Sequence, residues 1–196
     1  MDKEHAPETA SSDDQVLVER FRRGDRAAFS TLVERHQTRV YNLAYRMLGR
    51  PEDAADATQE AFLACHEKLS GFRGDAAFTT WLHRVALNVC YDALRKRSRE
   101  RPDEEEIEPP PVADASEATA TGVDVHRALQ RVPEEFRAVV LLHDAYGLPY
   151  EEIAEIIGVP VGTVKSRLHR GRVAMARILR GEPQAASDPS KLQERS

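Results

Sequence analysis

Only two cysteines, Cys65 and Cys90, occur in the 196 residues. A disulfide framework or a four-cysteine zinc site needs more than that. Both lie within apolar helical patterns, where a free thiol behaves as a small buried hydrophobe; a redox pair is the alternative reading. Long apolar runs are missing as well, and no stretch approaches the about 20 residues that span a bilayer. Met1 to Asp14 is acidic and polar, without the apolar stretch of a signal peptide. Together these absences predict a cytoplasmic protein. Sustained period-two alternation is also lacking, so no sheet is expected. What remains is a globular composition, 41% hydrophobic and 31% charged.

The net charge of −5 hides a strongly uneven distribution. Residues 101–121 hold seven acids and a single base, Arg101. Residues 163–180 hold six bases (Lys165, Arg167, Arg170, Arg172, Arg177, Arg180) and no acid. Distribution matters more than the sum in judging a nucleic-acid partner.

The acidic stretch 101–121 also carries Pro102 and Pro109-Pro110-Pro111. Proline-rich, like-charged segments are extended and semi-rigid, so a linker is expected here between two modules. Residues 1–13 read as a disordered N-terminus and 182–196 as a flexible tail. In the first module, 14–100, an apolar stripe of Phe29, Leu32, Val33, Val40, Leu43, Ala44, Met47 and Leu48 predicts a helix over 25–48. Ala54, Ala57, Ala61, Phe62, Leu63 and Leu69 predict a second. A third runs from about Asp75, a plausible N-cap, to Arg99. The second module, 122–181, reads as four helices: 123–131, 134–146, 149–157 and 161–180. The expected fold is all-α, two helical modules joined by the acidic linker.

Within the second module, Pro149 to Ser166 has the pattern of a helix-turn-helix. Ile153, Ala154 and Ile157 line one face of the first helix. Gly158 suits a left-handed helix end. Val164 and Leu168 bury the second helix. Lys165, Ser166, His169 and Arg170 are left on its solvent face, where Arg or Lys can pair with guanine O6 and N7. Arg167, Arg172 and Arg177 are candidates for phosphate contacts. A solvated basic helix is the plainer alternative.

The first module carries Val40-Tyr41-Asn42-Leu43-Ala44-Tyr45-Arg46-Met47-Leu48-Gly49, then Pro51-Glu52-Asp53-Ala54-Ala55-Asp56-Ala57-Thr58-Gln59-Glu60-Ala61-Phe62, then Gly71-Phe72-Arg73-Gly74, then Phe78-Thr79-Thr80-Trp81-Leu82. This succession resembles conserved region 2 of the sigma-70 family. Gly162 to Arg170 resembles its region 4. The match in order and spacing, over roughly residues 14–181, is to the extracytoplasmic-function (group IV) sigma factors. Pro149 departs from the pattern, which commonly has Ser there.

The resemblance implies a transcription factor that binds core RNA polymerase and promoter DNA and catalyses nothing itself. It implies −35 contacts from Thr163, Lys165, Ser166, Arg167, His169, Arg170 and Arg172. It implies −10 contacts from Phe72, Arg73, Asp75, Phe78, Arg84, Asn88 and Arg95, with Lys96, Arg97 and Arg99 further along the same helix. Trp81 reads equally as a core residue. Asp53, Asp56, Gln59 and Glu60, at helical spacings of three and four, are implied to grip the polymerase's largest subunit. An anti-sigma factor is the implied regulator. No cofactor is called for, and the carboxylates near His66 lack convergent metal-ligand spacing. Two other classes stay open on the residues alone: a stand-alone helix-turn-helix regulator, and a carboxylate-dependent enzyme using Asp53, Asp56 and Glu60.

Overall fold

The computed structural model describes residues 8–100 and 125–182. Among them all regular structure is helical: α1 (Glu8–Arg22), α2 (Arg26–Leu48), α3 (Pro51–Lys68), α4 (Phe78–Glu100), α5 (125–130), α6 (Glu134–Val140, widening into a π turn over Leu141–Ala145), α7 (Tyr150–Ile157) and α8 (Val161–Leu179). The linker 101–121 and almost all of the tail 182–196 lie outside the described residues.

Composition places residues 1–13 outside the fold, yet α1 already runs from Glu8. Its anchor is Asp14, 1% exposed, which takes Arg35 Nη1 at 3.2 Å and meets His36 Nε2 at 2.7 Å. A buried carboxylate is tolerable only with such partners. Leu17 and Val18 are buried beside it. A helix nucleated there extends toward its N-terminus at little cost, because each added residue closes another bond.

Asp25 caps α2 by accepting from the Ala27 N–H at 3.0 Å. Leu32, Leu43 and Met47 on α2, Ala57 and Cys65 on α3, and Leu82, Leu87 and Cys90 on α4 are buried in the core of the first module. Burial pushes both thiols up to about 12, which keeps them protonated and unreactive near neutrality. Leu63, expected in the core, is 59% exposed. Phe29 and Val33 are only half-buried. The stripe is wider than the core it covers. Asp75 lies in the loop ahead of α4 rather than at its N-cap, since the helix begins at Phe78.

In the second module, Ile153, Ile156, Val164 and Leu168 close the core between α7 and α8. Gly158 takes a left-handed φ of 69° and ends α7 as expected. Gly171 lets α8 cross α6: a Cβ there would stand 2.6 Å from Val140 Cγ2 and 3.2 Å from the Phe136 carbonyl oxygen. Arg137, 7% exposed, ties the module together by donating to the Gln130 and Val132 carbonyls.

The two modules touch. α7 packs on α4, and α6 packs on the end of α2. The Tyr146 hydroxyl donates to the Arg39 carbonyl at 3.1 Å. The Arg39 guanidinium lies 5.0 Å from the Tyr146 ring centroid. His83, 3% exposed, accepts from Arg39 Nε at 3.2 Å and meets Tyr146 edge-on. Burial first, then the charges of Arg39 and His36, push the His83 imidazole down to about 3. The fold therefore favours neutral His83. That contribution is complete above the unfolded value near 6.5 and drains away as pH falls from there toward 3. One such group changes stability by about 1.4 kcal/mol per pH unit in that window. Melting temperatures taken from pH 7 to pH 5 should fall, and fall less steeply in His83→Met. Parallel slopes would contradict the assignment.

Candidate nucleic-acid interface

α8 offers the clearest face. Val164 and Leu168 hold its inner side in the core, so helical geometry turns Lys165, Ser166, His169 and Arg170 outward, all exposed. Thr163 is half-buried, and its carbonyl accepts from Ser166 Oγ at 2.9 Å. The Lys165 ammonium rests 5.5 Å from the Tyr150 ring centroid, which orients a long and otherwise mobile side chain. Two cations expected on phosphates are engaged within the module. Arg167 pairs with Glu135 at 2.9 Å and is 25% exposed; it braces α8 against α6. Arg172 grips Asp144 with two nitrogens. The Arg172 pair is open to solvent, where such pairs contribute little. It can be exchanged for a phosphate at small cost, whereas the Arg167 pair is more sheltered.

The residues expected at a −10 site divide. Arg73 and Asp75 are exposed in the loop between α3 and α4. Arg84, Asn88 and Arg95 are exposed along one side of α4. Arg84 donates to the Glu155 carbonyl of α7, and Arg95 pairs with Asp92. Phe72 and Phe78 need correction: they are 6% and 2% exposed, with ring centroids 5.2 and 6.0 Å from the Trp81 ring. They floor the site beneath half-buried Trp81 and present no open face to a base. Arg97 is corrected too. It turns inward to the Leu48 carbonyl and Asp53, the latter at 3.5 Å.

The acidic residues of α3 also separate. Asp56, Gln59 and Glu60 are exposed, while Asp53 is half-buried against Arg97. The sequence reading missed what lies beside them: an open, largely apolar groove of 770 Å³ between α2 and α3. Phe29, Val33 and Tyr41 line it from one side, and Gln59, Phe62 and Leu63 from the other. An open apolar groove rimmed by polar groups marks a protein-binding surface. The available signal was Leu63, an apolar residue four positions after Gln59 on the polar side of the stripe. Among the described residues, no three His, Cys, Asp or Glu side chains gather where a metal could sit, and no helix is long and apolar enough to cross a membrane.

Comparison with known proteins agrees with this geometry. Residues 32–100 match sigma-70 region 2, and residues 122–175 match sigma-70 region 4. RNA polymerase sigma-H factor of Pseudomonas aeruginosa is 39% identical over 185 residues, covering 85% of this chain and 93% of that protein. The extracytoplasmic-function sigma factor SigM of Mycobacterium tuberculosis is 42% identical over 156 residues, 80% of this chain and 79% of its own. Among solved structures, the sigma factor RpoE of Bartonella quintana, in complex with the anti-sigma factor NepR, superposes with a TM-score of 0.68 at 25% identity, over 79% of this chain and 98% of that one. The chain belongs to the sigma-70 family, in its extracytoplasmic-function group.

Proposed function

We propose that this chain is the promoter-specificity subunit of a bacterial RNA polymerase. Residues 14–100 dock on core enzyme and hold the melted −10 strand, and residues 122–181 read the −35 element in duplex DNA. The observation that carries this reading is the open cationic face of α8: Lys165, Ser166, His169 and Arg170 stand together on the second helix of a helix-turn-helix. That helix enters the major groove with its N-terminal half, where base edges present a distinct pattern for each pair.

The polymerase side is supported by the α2–α3 groove. Its apolar floor suits the ridge of a partner helix, and Asp56, Gln59 and Glu60 lie next to it for basic or polar groups on that partner. On the −10 side, Arg73 and the α4 row Arg84, Asn88 and Arg95 offer a track for a single strand. Holding that strand offsets stacking lost on opening, about 1.4 kcal/mol per step. Bond formation belongs to the polymerase; the chain itself supplies binding. It works in the cytoplasm, with the transcription machinery. The likeness to a sigma factor solved with NepR supports an anti-sigma factor as its regulator.

Arg170→Ala should weaken discrimination of the cognate −35 element by about 1–3 kcal/mol, the usual worth of one good base contact. Gel-shift titrations of holoenzyme on matched and mutated −35 duplexes read this directly. A variant that keeps wild-type discrimination would remove Arg170 from the reading set.

A further inference from the structure

Lysine and arginine can both pair with guanine in the major groove, but they are held differently. Arginine presents a rigid fork, whereas the lysine ammonium swings on a flexible four-carbon stem. A lysine that discriminates between base pairs needs something outside itself to aim it. The geometry points to Tyr150 as a positioning residue for −35 specificity: its ring, backed by His143, aims Lys165 at the base pair it reads. This rests on the reading of α8 as the −35 helix.

Two contacts in series make the support. The Lys165 ammonium lies 5.5 Å from the Tyr150 ring centroid, inside the range of a cation–π attraction. The Tyr150 centroid lies 4.9 Å from that of His143, with the ring planes tilted by 39°. Tyr150 and His143 are half-buried, and Lys165 is exposed. The rings are thus fixed by the module while the ammonium reaches solvent. Tyr150 opens α7, and Lys165 lies in the N-terminal half of α8. The contact therefore joins the two helices of the helix-turn-helix at the end that enters the groove. Two other cations of α8 are held by carboxylates, Arg167 by Glu135 and Arg172 by Asp144. A carboxylate occupies donors and offsets charge. A ring face leaves the charge whole, and the ammonium has three N–H groups, so donors remain for guanine O6 or N7.

His143 is placed by the widened turn at the end of α6. The Tyr146 N–H donates to the Leu141 carbonyl, five residues back, at 3.1 Å. That is the bond of a π turn, a form frequent at functional sites. Gly147, at a left-handed φ of 69°, then turns the chain. The Leu148 N–H returns to the Leu142 carbonyl at 3.0 Å, and the Leu148 carbonyl lies 3.0 Å from His143 Nδ1. A carbonyl can only accept, so Nδ1 carries the proton of this bond. One bond thus fixes the His143 plane and the segment Leu148-Pro149 that leads into Tyr150. The next residue of the same turn, Asp144, takes Arg172 with two nitrogens. Neighbouring positions of one π turn therefore steer two cations of α8, one directly and one through Tyr150.

The test is a discrimination profile of holoenzyme, assembled from the full chain and core polymerase, on −35 duplexes changed one base pair at a time. Lys165→Ala marks the base pair that Lys165 reads, as the position where preference flattens. Tyr150→Leu should flatten that same position by about threefold, the usual worth of an exposed cation–π contact, and leave the other positions at wild-type values. Tyr150→Phe keeps the ring face and should retain the wild-type profile. His143→Leu should reproduce the Tyr150→Leu profile in weaker form, and it carries the test if Tyr150→Leu does not fold. In the Tyr150 and His143 variants the slope of log affinity against log salt should not change, because phosphate contacts stay in place. A uniform loss across all duplexes, or a shallower salt slope, would mean that the ring only supports the fold, and would overturn the proposal. Wild-type profiles in Tyr150→Leu and His143→Leu, beside a flattened one in Lys165→Ala, would also overturn it while the −35 reading stands. If Lys165→Ala flattens no position, the proposal fails with the role of Lys165; flattening by Arg170→Ala would then keep α8 as the reading helix.

Discussion

Arg137→Met is expected to destabilise the second module by about 3 kcal/mol, because the buried Val132 carbonyl and the part-buried Gln130 carbonyl lose their donor and each bare acceptor costs about 1–3 kcal/mol. Methionine keeps the length of the stem, so little of this effect comes from a cavity. Burial, the dominant influence, pushes the Arg137 guanidinium down to about 10, still well above neutrality. The charge thus persists inside the protein without a carboxylate in direct contact among the described residues, held by carbonyl dipoles. The loss would be a large share of the whole stability of a typical domain, about 5–15 kcal/mol. Urea unfolding followed by circular dichroism measures it. A change under about 1 kcal/mol would mean that water reaches those carbonyls.

Leu63→Glu should leave stability nearly unchanged yet cut affinity for core polymerase by about thirtyfold or more. The side chain is 59% exposed, so little packing is lost on substitution. It lines the α2–α3 groove with Phe62 and Val33. An apolar anchor at the centre of an interface is commonly worth about 2 kcal/mol, and a carboxylate there would be desolvated without a partner. Titration of labelled protein with core enzyme, beside a melting curve, separates binding from folding. Wild-type affinity in a stable variant would move the polymerase site off this groove.

The limits of the sequence reading have identifiable causes. Helix order and the helix-turn-helix were legible because each depends on short-range patterns: an apolar stripe, Gly49 and Pro51 at one joint, Gly158 at another. The solvent face of α8 followed from Val164 and Leu168 alone. Phe72 and Phe78 stand among the expected −10 contacts because a motif names residues without saying which way they point; three aromatic rings at one loop shield one another, and two are buried. The α2–α3 groove escaped because an apolar stripe gives its angular width but not how much of that width the neighbouring helix covers. Arg97, Arg167 and the Arg137 cap escaped because periodicity assigns charges to solvent by default. Their partners Asp53 and Glu135, and the Met47 carbonyl, lie 44, 32 and 90 positions away. The joint between the modules was invisible for the same reason.

Whether the chain confers promoter choice is tested most directly by transcribing genomic DNA with purified core polymerase, with and without the chain, and mapping transcript 5′ ends. New start sites should appear that share two spaced sequence elements upstream, and Arg170→Ala should blur the distal one. Identical start sites with and without the chain would contradict the assignment.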